Sequence, residues 1–248
     1  MKVPRRVIPL ALAVLTSCGT QPDQTQSERL DADITAGMSE LLPGVRIDRE
    51  AQRVAFEGRV PIDAHDPDTP LVFLELVACT PDTREHESLV VAPVRPSHVH
   101  AALLAVGFEP GHPGGFRPTE DAIVPITPEG DPVRVLLLPK GGRPAAPADW
   151  VTHAETGQRW TPGGYVFAGS RMMERGGQYR YDADGTGTLI GLTTFGSEVI
   201  APRDVRSPDA ATAAPIWIAD RDAIPEQGTP VTVVLEAKES AGRSGRAP

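Results

Sequence analysis

Prolines are spread along almost the whole chain, and they limit what it can build. A proline fixes φ and lacks the backbone N–H, so it ends helices and is kept out of central strands. With 26 prolines and 24 glycines among 248 residues, about a fifth of the chain is punctuation, above the usual ~12% and below the ~25–30% of low-complexity chains. This distribution predicts short strands and loops, with little room for long helices. The length leaves about 200 residues to pack, enough for one domain with a real core.

The apolar pattern fills in the elements. Two-residue alternation over 45–47 and 54–60, with a turn at 48–52, predicts a hairpin. The run 71–79 reads as a long central strand with Glu75 as its single charge. If both faces of that strand are covered, Glu75 needs a partner or a raised pKa. Further strands are expected at 88–92, 133–138, 150–153, 165–168, 179–181, 189–194, 216–218 and 231–235. Residues 34–42 suggest a short helix stopped by Pro43-Gly44, and 110–118 a loop. Asp182-x-Asp184-Gly185 starts like a calcium loop but has Thr193 where the closing glutamate belongs. It reads instead as the turn of a hairpin between 179–181 and 189–194. The one good amphipathic helix is at 97–107, with Ser97 as N-cap, Gly107 as its end and Val99, Leu103 and Val106 as its stripe. The expected fold is α+β: mainly antiparallel β, about ten short strands, with that helix packed on the sheet.

The N-terminus reads as an address. Lys2, Arg5 and Arg6 precede an apolar run at 7–15. A helix of that length spans about 13 Å, far short of the ~30 Å hydrocarbon core, so it fits a signal peptide and not a membrane span. Leu15-Thr16-Ser17-Cys18-Gly19 resembles the bacterial lipobox, which implies cleavage before Cys18 and lipidation of that cysteine. Several acyl chains on one residue hold firmly where a single chain is marginal. The expected organisation is a signal peptide at 1–17, a polar tether at 18–33, one globular domain at 34–237 and a disordered tail at 238–248. The protein is then extracytoplasmic, facing the periplasm, and lipid-anchored to the cell membrane or outer membrane. The formal charge of −9, with no basic cluster after Arg6, argues against nucleic acid as a partner.

The chemistry-bearing residues crowd into 86–112, which holds four of the six histidines, His86, His98, His100 and His112. His86, His98 and His100 are the candidate metal ligands, for a transition metal such as zinc. On a helix, residues two apart point about 200° away from each other, so His98 and His100 could share an ion only if the helix began after them. His86 and Ser88 form a conceivable base–nucleophile pair, although no Gly-x-Ser-x-Gly elbow exists. Cys79 is the only cysteine besides Cys18, so the mature chain has no internal disulfide, and Cys79 reads as a buried thiol. Trp150, Trp160 and Trp217 are too scattered to claim a ligand platform.

His86-Glu87-Ser88-Leu89, the helix His98-Val99-His100-Ala101-Ala102-Leu103-Leu104 with Gly107 and Pro110-Gly111, and Phe167-Ala168-Gly169-Ser170 with Tyr179 and Asp184 resemble the YdjY-like domain family. The resemblance runs from about Leu41 to Ala237. Tyr165-Val166 stands where the family has Trp-Val. The resemblance implies an exported bacterial protein and brings no mechanism. Some relatives are linked to ferredoxin-type sequences, but this chain has no cysteine cluster for an iron–sulfur site. The expectation is a lipid-anchored, non-catalytic envelope module that binds a protein, glycan or small ligand. The alternatives are a metal-binding protein or metal-dependent hydrolase using His86, His98 and His100, and a thiol or serine enzyme at Cys79 or Ser88.

Overall fold

The computed structural model describes residues 34–238. The expected signal peptide at 1–17, Cys18 with the expected tether, and the expected tail beyond Lys238 lie outside the described residues. The main sheet is built from β1 (Ser39–Leu42), β2 (Val45–Asp48), β3 (Arg53–Arg59), β4 (Leu76–Cys79) and β5 (Ser88–Val91), then β6 (Pro132–Pro139), β7 (Tyr165–Phe167), β8 (Thr188–Gly191), β9 (Ile200–Pro202) and β10 (Pro230–Ala237). Their spatial order is β1-β2-β3-β10-β6-β7-β9-β8-β4-β5, and β5 returns to pair with β3. The eight strands from β3 round to β5 therefore close a barrel, and β2 and β1 continue outward from β3.

The chain is mostly β, as its proline spacing predicts, but the sheet is not the simple antiparallel one expected. It closes on itself, and two neighbouring pairs, β8 with β9 and β4 with β5, are parallel. The closing contact pairs Arg59 with Val91. Gly58 makes it possible: a Cβ there would stand 2.5 Å from Val90 Cγ1 and 2.8 Å from the Val91 carbonyl. A side chain at that position would force the two strands apart. Closure also removes the edges that an open sheet would expose.

Both faces of the long strands are covered, which explains their near-continuous apolar runs. Val133, Val135, Leu137, Val231, Val233 and Leu235 join Val54 and Phe56 in the main core. On the opposite face Ala55, Leu136, Leu138 and Val234 form a second cluster under Ile34 and Met38. Glu236 ties three strands together, accepting from Arg53 of β3 and Arg134 of β6, each at 2.9 Å.

Several local expectations are corrected. Of 34–42, only Ile34 and Thr35 are helical; Ser39–Leu42 is a strand, because Gly44 at φ 77° turns the chain back so that β1 pairs with β2. The run 71–79 is a strand only over Leu76–Cys79, with Phe73 bridging to Ile218. The stretch 110–118 carries two short strands, Pro110–His112 and Gly115–Pro118, which pair with Glu129–Gly130 and Ile123–Ile126. Gln178–Tyr181 pairs with Met172–Arg175, not with 189–194. Asp182–Thr186 is then a short helix, α2, ended by Gly187 at φ 74°. The main helix, α1, spans Pro96–Ala105 and packs on β2 and β3, burying Val99, Ala102 and Leu103. Among the described residues, no helix is long and apolar enough to cross a membrane.

Candidate functional site

The residues nominated from sequence do not assemble into one centre. His86 rides on the 3-10 turn Glu85–Glu87, out in solvent at 73% side-chain exposure, 3.4 Å from Glu87. Ser88 is fully buried and donates to the Arg84 carbonyl at 2.7 Å. Among the described residues no hydrogen bond joins it to His86. Cys79 is also fully buried, and burial pushes its thiol pKa up, away from the reactive thiolate. Glu75, the lone charge of its apolar run, has both remedies that its position demands. Arg84 pairs with it at 3.0 Å, and burial together with the neighbouring Glu87 pushes its carboxyl up to about 7.

Because α1 begins at Pro96, His98 and His100 both lie inside it and point apart. His98 Nδ1 is buried without a hydrogen-bond partner among the described residues. Among the described residues, no three His, Cys, Asp or Glu side chains are grouped so as to hold a metal ion.

His100 leads to a different assembly. Its Nδ1 lies 3.1 Å from the Gly169 carbonyl and 2.9 Å from the Tyr181 hydroxyl, which itself donates to Gly169 O at 3.0 Å. The imidazole stands edge-on to Phe167 at 4.9 Å and to Tyr181 at 5.4 Å. Burial lowers its pKa, favouring the neutral ring. Gly169 and Ser170 are both left-handed, at φ 79° and 55°. A Cβ on Gly169 would meet Pro110 at 2.8 Å and His100 Cε1 at 3.2 Å, so only glycine lets the chain pass under the helix. Ser170 Oγ accepts from Ala183 N at 3.2 Å, seating the start of α2.

Ser97 does not cap α1 as expected. The residue before the helix is Arg95, and the cap comes from α2: Asp184 accepts from Ser97 N and from Ser97 Oγ, each at 2.8 Å. Arg95 adds an ion pair to the same carboxylate at 3.3 Å. An anion at a helix N-terminus satisfies orphan N–H groups and the macrodipole together. His100, Gly169, Ser170 and Asp184, dispersed in sequence, thus meet at one junction between the two helices and the end of β7.

Two clefts open on the surface. One, of about 430 Å³, opens beside the junction and is lined by Arg95, Arg180, Tyr181, Asp182 and Asp184. Its carboxylates are engaged: Asp182 takes Arg171 at 2.9 Å, and Asp184 holds the helix. The other, of about 240 Å³, lies under Trp217, with Trp160, Leu192, Thr161, Asp204 and Arg206 around it. The short ribbon that pairs Val151–His153 with Trp217–Ala219 seats Trp217 opposite His153. The ring of Trp160 sits 6.4 Å from that of Trp217 and 6.1 Å from that of Tyr165. Two tryptophans that look scattered in sequence therefore share one cleft, and Trp150 stays in the core.

The family model described as the YdjY domain matches residues 45–236. No curated protein and no solved structure matches the chain.

Proposed function

The chain belongs to the YdjY domain family, and on that premise we propose that it is a non-catalytic binding module of the cell envelope, held at a membrane by lipid on Cys18. One observation carries the non-catalytic part. Ser88 and Cys79, the nucleophiles that the sequence offers, are fully buried, and neither lines the two clefts beside the helices and the ribbon. A nucleophile needs both a base within hydrogen-bond reach and a path for substrate. The solvent-facing clefts carry binding chemistry instead: guanidinium groups, carboxylates and indole rings around a concave surface.

The anchor rests on the order of positive segment, apolar run and lipobox-like Cys18. Replacing Cys18 with alanine should move the protein from the membrane fraction to the soluble one. Continued fractionation with membranes would refute the anchor. The binding reading is tested separately on the full chain. It expects Cys79 to resist thiol labelling under native conditions and added zinc or chelator to leave the melting temperature unchanged. Stoichiometric metal, or rapid labelling of Cys79, would return the metal-dependent or thiol chemistry to first place.

A further inference from the structure

The cleft under Trp217 has a composition that points to one ligand class. We propose that it is a saccharide subsite, taking one pyranose unit of a larger envelope glycan. This rests on the binding-module reading and names what that module binds.

Trp217 is half-buried and lines the cleft, so part of its side chain is open there, and Trp160, buried at 5% exposure, backs it at a tilt of 52°. His153 stands edge-on to Trp217 at 5.7 Å and braces it. A braced indole offers a large rigid apolar face at little entropic cost, the surface on which the C–H face of a pyranose packs. Around it stand groups that suit hydroxyls. Asp204 is exposed; its Oδ2 accepts from Gly163 N at 2.6 Å, which fixes the carboxylate, and no partner among the described residues takes Oδ1. Oδ1 is therefore an acceptor ready for a sugar hydroxyl, and hydrogen bonds to a charged acceptor are the stronger kind. Thr161 is exposed and can donate or accept. Arg206 supplies N–H donors and is itself held in place: its guanidinium donates to the Ala214 carbonyl, and its backbone exchanges bonds with Thr194.

Size and charge narrow the class. A volume of about 240 Å³ is below the roughly 300–1,000 Å³ of sites that engulf a drug-sized ligand, so the cleft fits one ring of a longer molecule. A quaternary ammonium would meet Arg206, and a nucleic acid would meet Asp204. A neutral ring bearing many hydroxyls matches both an acceptor and a donor beside an aromatic face.

Two of the chain's three tryptophans line the cleft, so binding reports itself. The full chain is titrated with the β-1,4 tetramer of N-acetylglucosamine, cellotetraose, xylotetraose and maltotetraose to about 10 mM, tenfold beyond a weak ~1 mM affinity. At least one should give a saturable change in tryptophan fluorescence that survives Trp150→Phe. Trp217→Ala should weaken it at least tenfold and Asp204→Asn about threefold, with the circular dichroism spectrum unchanged. If Trp217→Ala does not fold, Asp204→Asn read by calorimetry decides. Silence with all four sugars overturns the subsite, as does binding that Asp204→Asn and Trp217→Ala leave intact. Neither result touches Cys18-dependent fractionation, which tests the anchored module on its own. Shortened sugars in the titration would support the subsite and overturn the non-catalytic reading.

Discussion

The junction around His100 and the cleft under Trp217 both unite residues far apart in the chain, yet they treat their polar groups in opposite ways. At the junction Asp184 is spent on Ser97 and Arg95, and His100 Nδ1 on Gly169 and Tyr181. At the cleft an indole is half-open, and one oxygen of Asp204 has no partner among the described residues. A closed set of hydrogen bonds rigidifies a fold, because every member is satisfied. An open set beside an aromatic face is what a ligand can complete. On this difference rests the proposal that the junction holds the helices on the barrel and that the cleft binds.

This contrast can be broken first by deleting Phe167. It is fully buried and lies against His100. Phe167→Ala should cost about 3–5 kcal/mol, read from urea unfolding, and should loosen the junction before the cleft. A loss below about 1 kcal/mol would mean that the ring is not the wedge between β7 and α1.

The buried acid beside the junction gives the next largest effect. Glu198 is fully buried; its Oε2 accepts from Ser197 N at 2.9 Å, and Oε1 has no partner among the described residues. Burial raises its pKa from 4.5 to about 7. The folded chain thus holds this proton more tightly than the unfolded one. The associated stability is complete below pH 4.5 and is lost as pH rises through about 7, on the order of 3 kcal/mol. Glu75 adds a slope of the same sign. His100, with its lowered pKa, adds the opposite one, losing stability as pH falls below 6.5. Comparing the wild type with Glu198→Gln isolates the first. Unfolding free energies between pH 4.5 and 8 should fall less steeply in the variant, and parallel curves would contradict the buried acid.

Asp184→Ala removes the cap that α2 gives α1. Loss of a helix cap costs about 1–2 kcal/mol, which calorimetry should show as a melting temperature lower by a few degrees. Asp184→Asn keeps an acceptor and should recover part of it. Smallest in stability is Trp217→Ala, since the ring is only half-buried. Its cost should be about 1 kcal/mol, and its effect should appear in binding.

How much of this was legible in the sequence depends on how far each feature reaches. The hairpin of 45–47 with 54–60, the strands at 133–138 and 231–235 and the helix near 97–107 follow from periodicity over neighbouring residues, and the structure has them. Closure into a barrel rests on Arg59 meeting Val91 across Gly58, a contact that no local pattern encodes. The cap of α1 failed for the same reason: Ser97 is a good capping residue, but Asp184, 87 positions away, reached the helix first. Gly176-Gly177, both left-handed, turn a hairpin that joins 178–181 to 172–175, in place of the one to 189–194 that Asp184-Gly185 was expected to turn. Glu75 was legible as a charge in need of help, because one carboxylate in an apolar run has few remedies. The pairing of Trp160 with Trp217 was not, since it depends on Val151–His153 holding both: this strand pairs with Trp217–Ala219, and the Val151 carbonyl accepts from Trp160 N at 3.1 Å. Nothing in the spacing of the tryptophans points to it.

Whether the junction scaffolds while the cleft binds is decided by one paired measurement. Melting temperature and affinity for the best tetrasaccharide are determined for Asp184→Ala and Trp217→Ala in the full chain. A crossed result is expected: Asp184→Ala melts lower and binds as before, while Trp217→Ala melts nearly as the wild type and binds at least tenfold more weakly. Lost binding in Asp184→Ala with full affinity in Trp217→Ala would contradict it and move recognition to the junction.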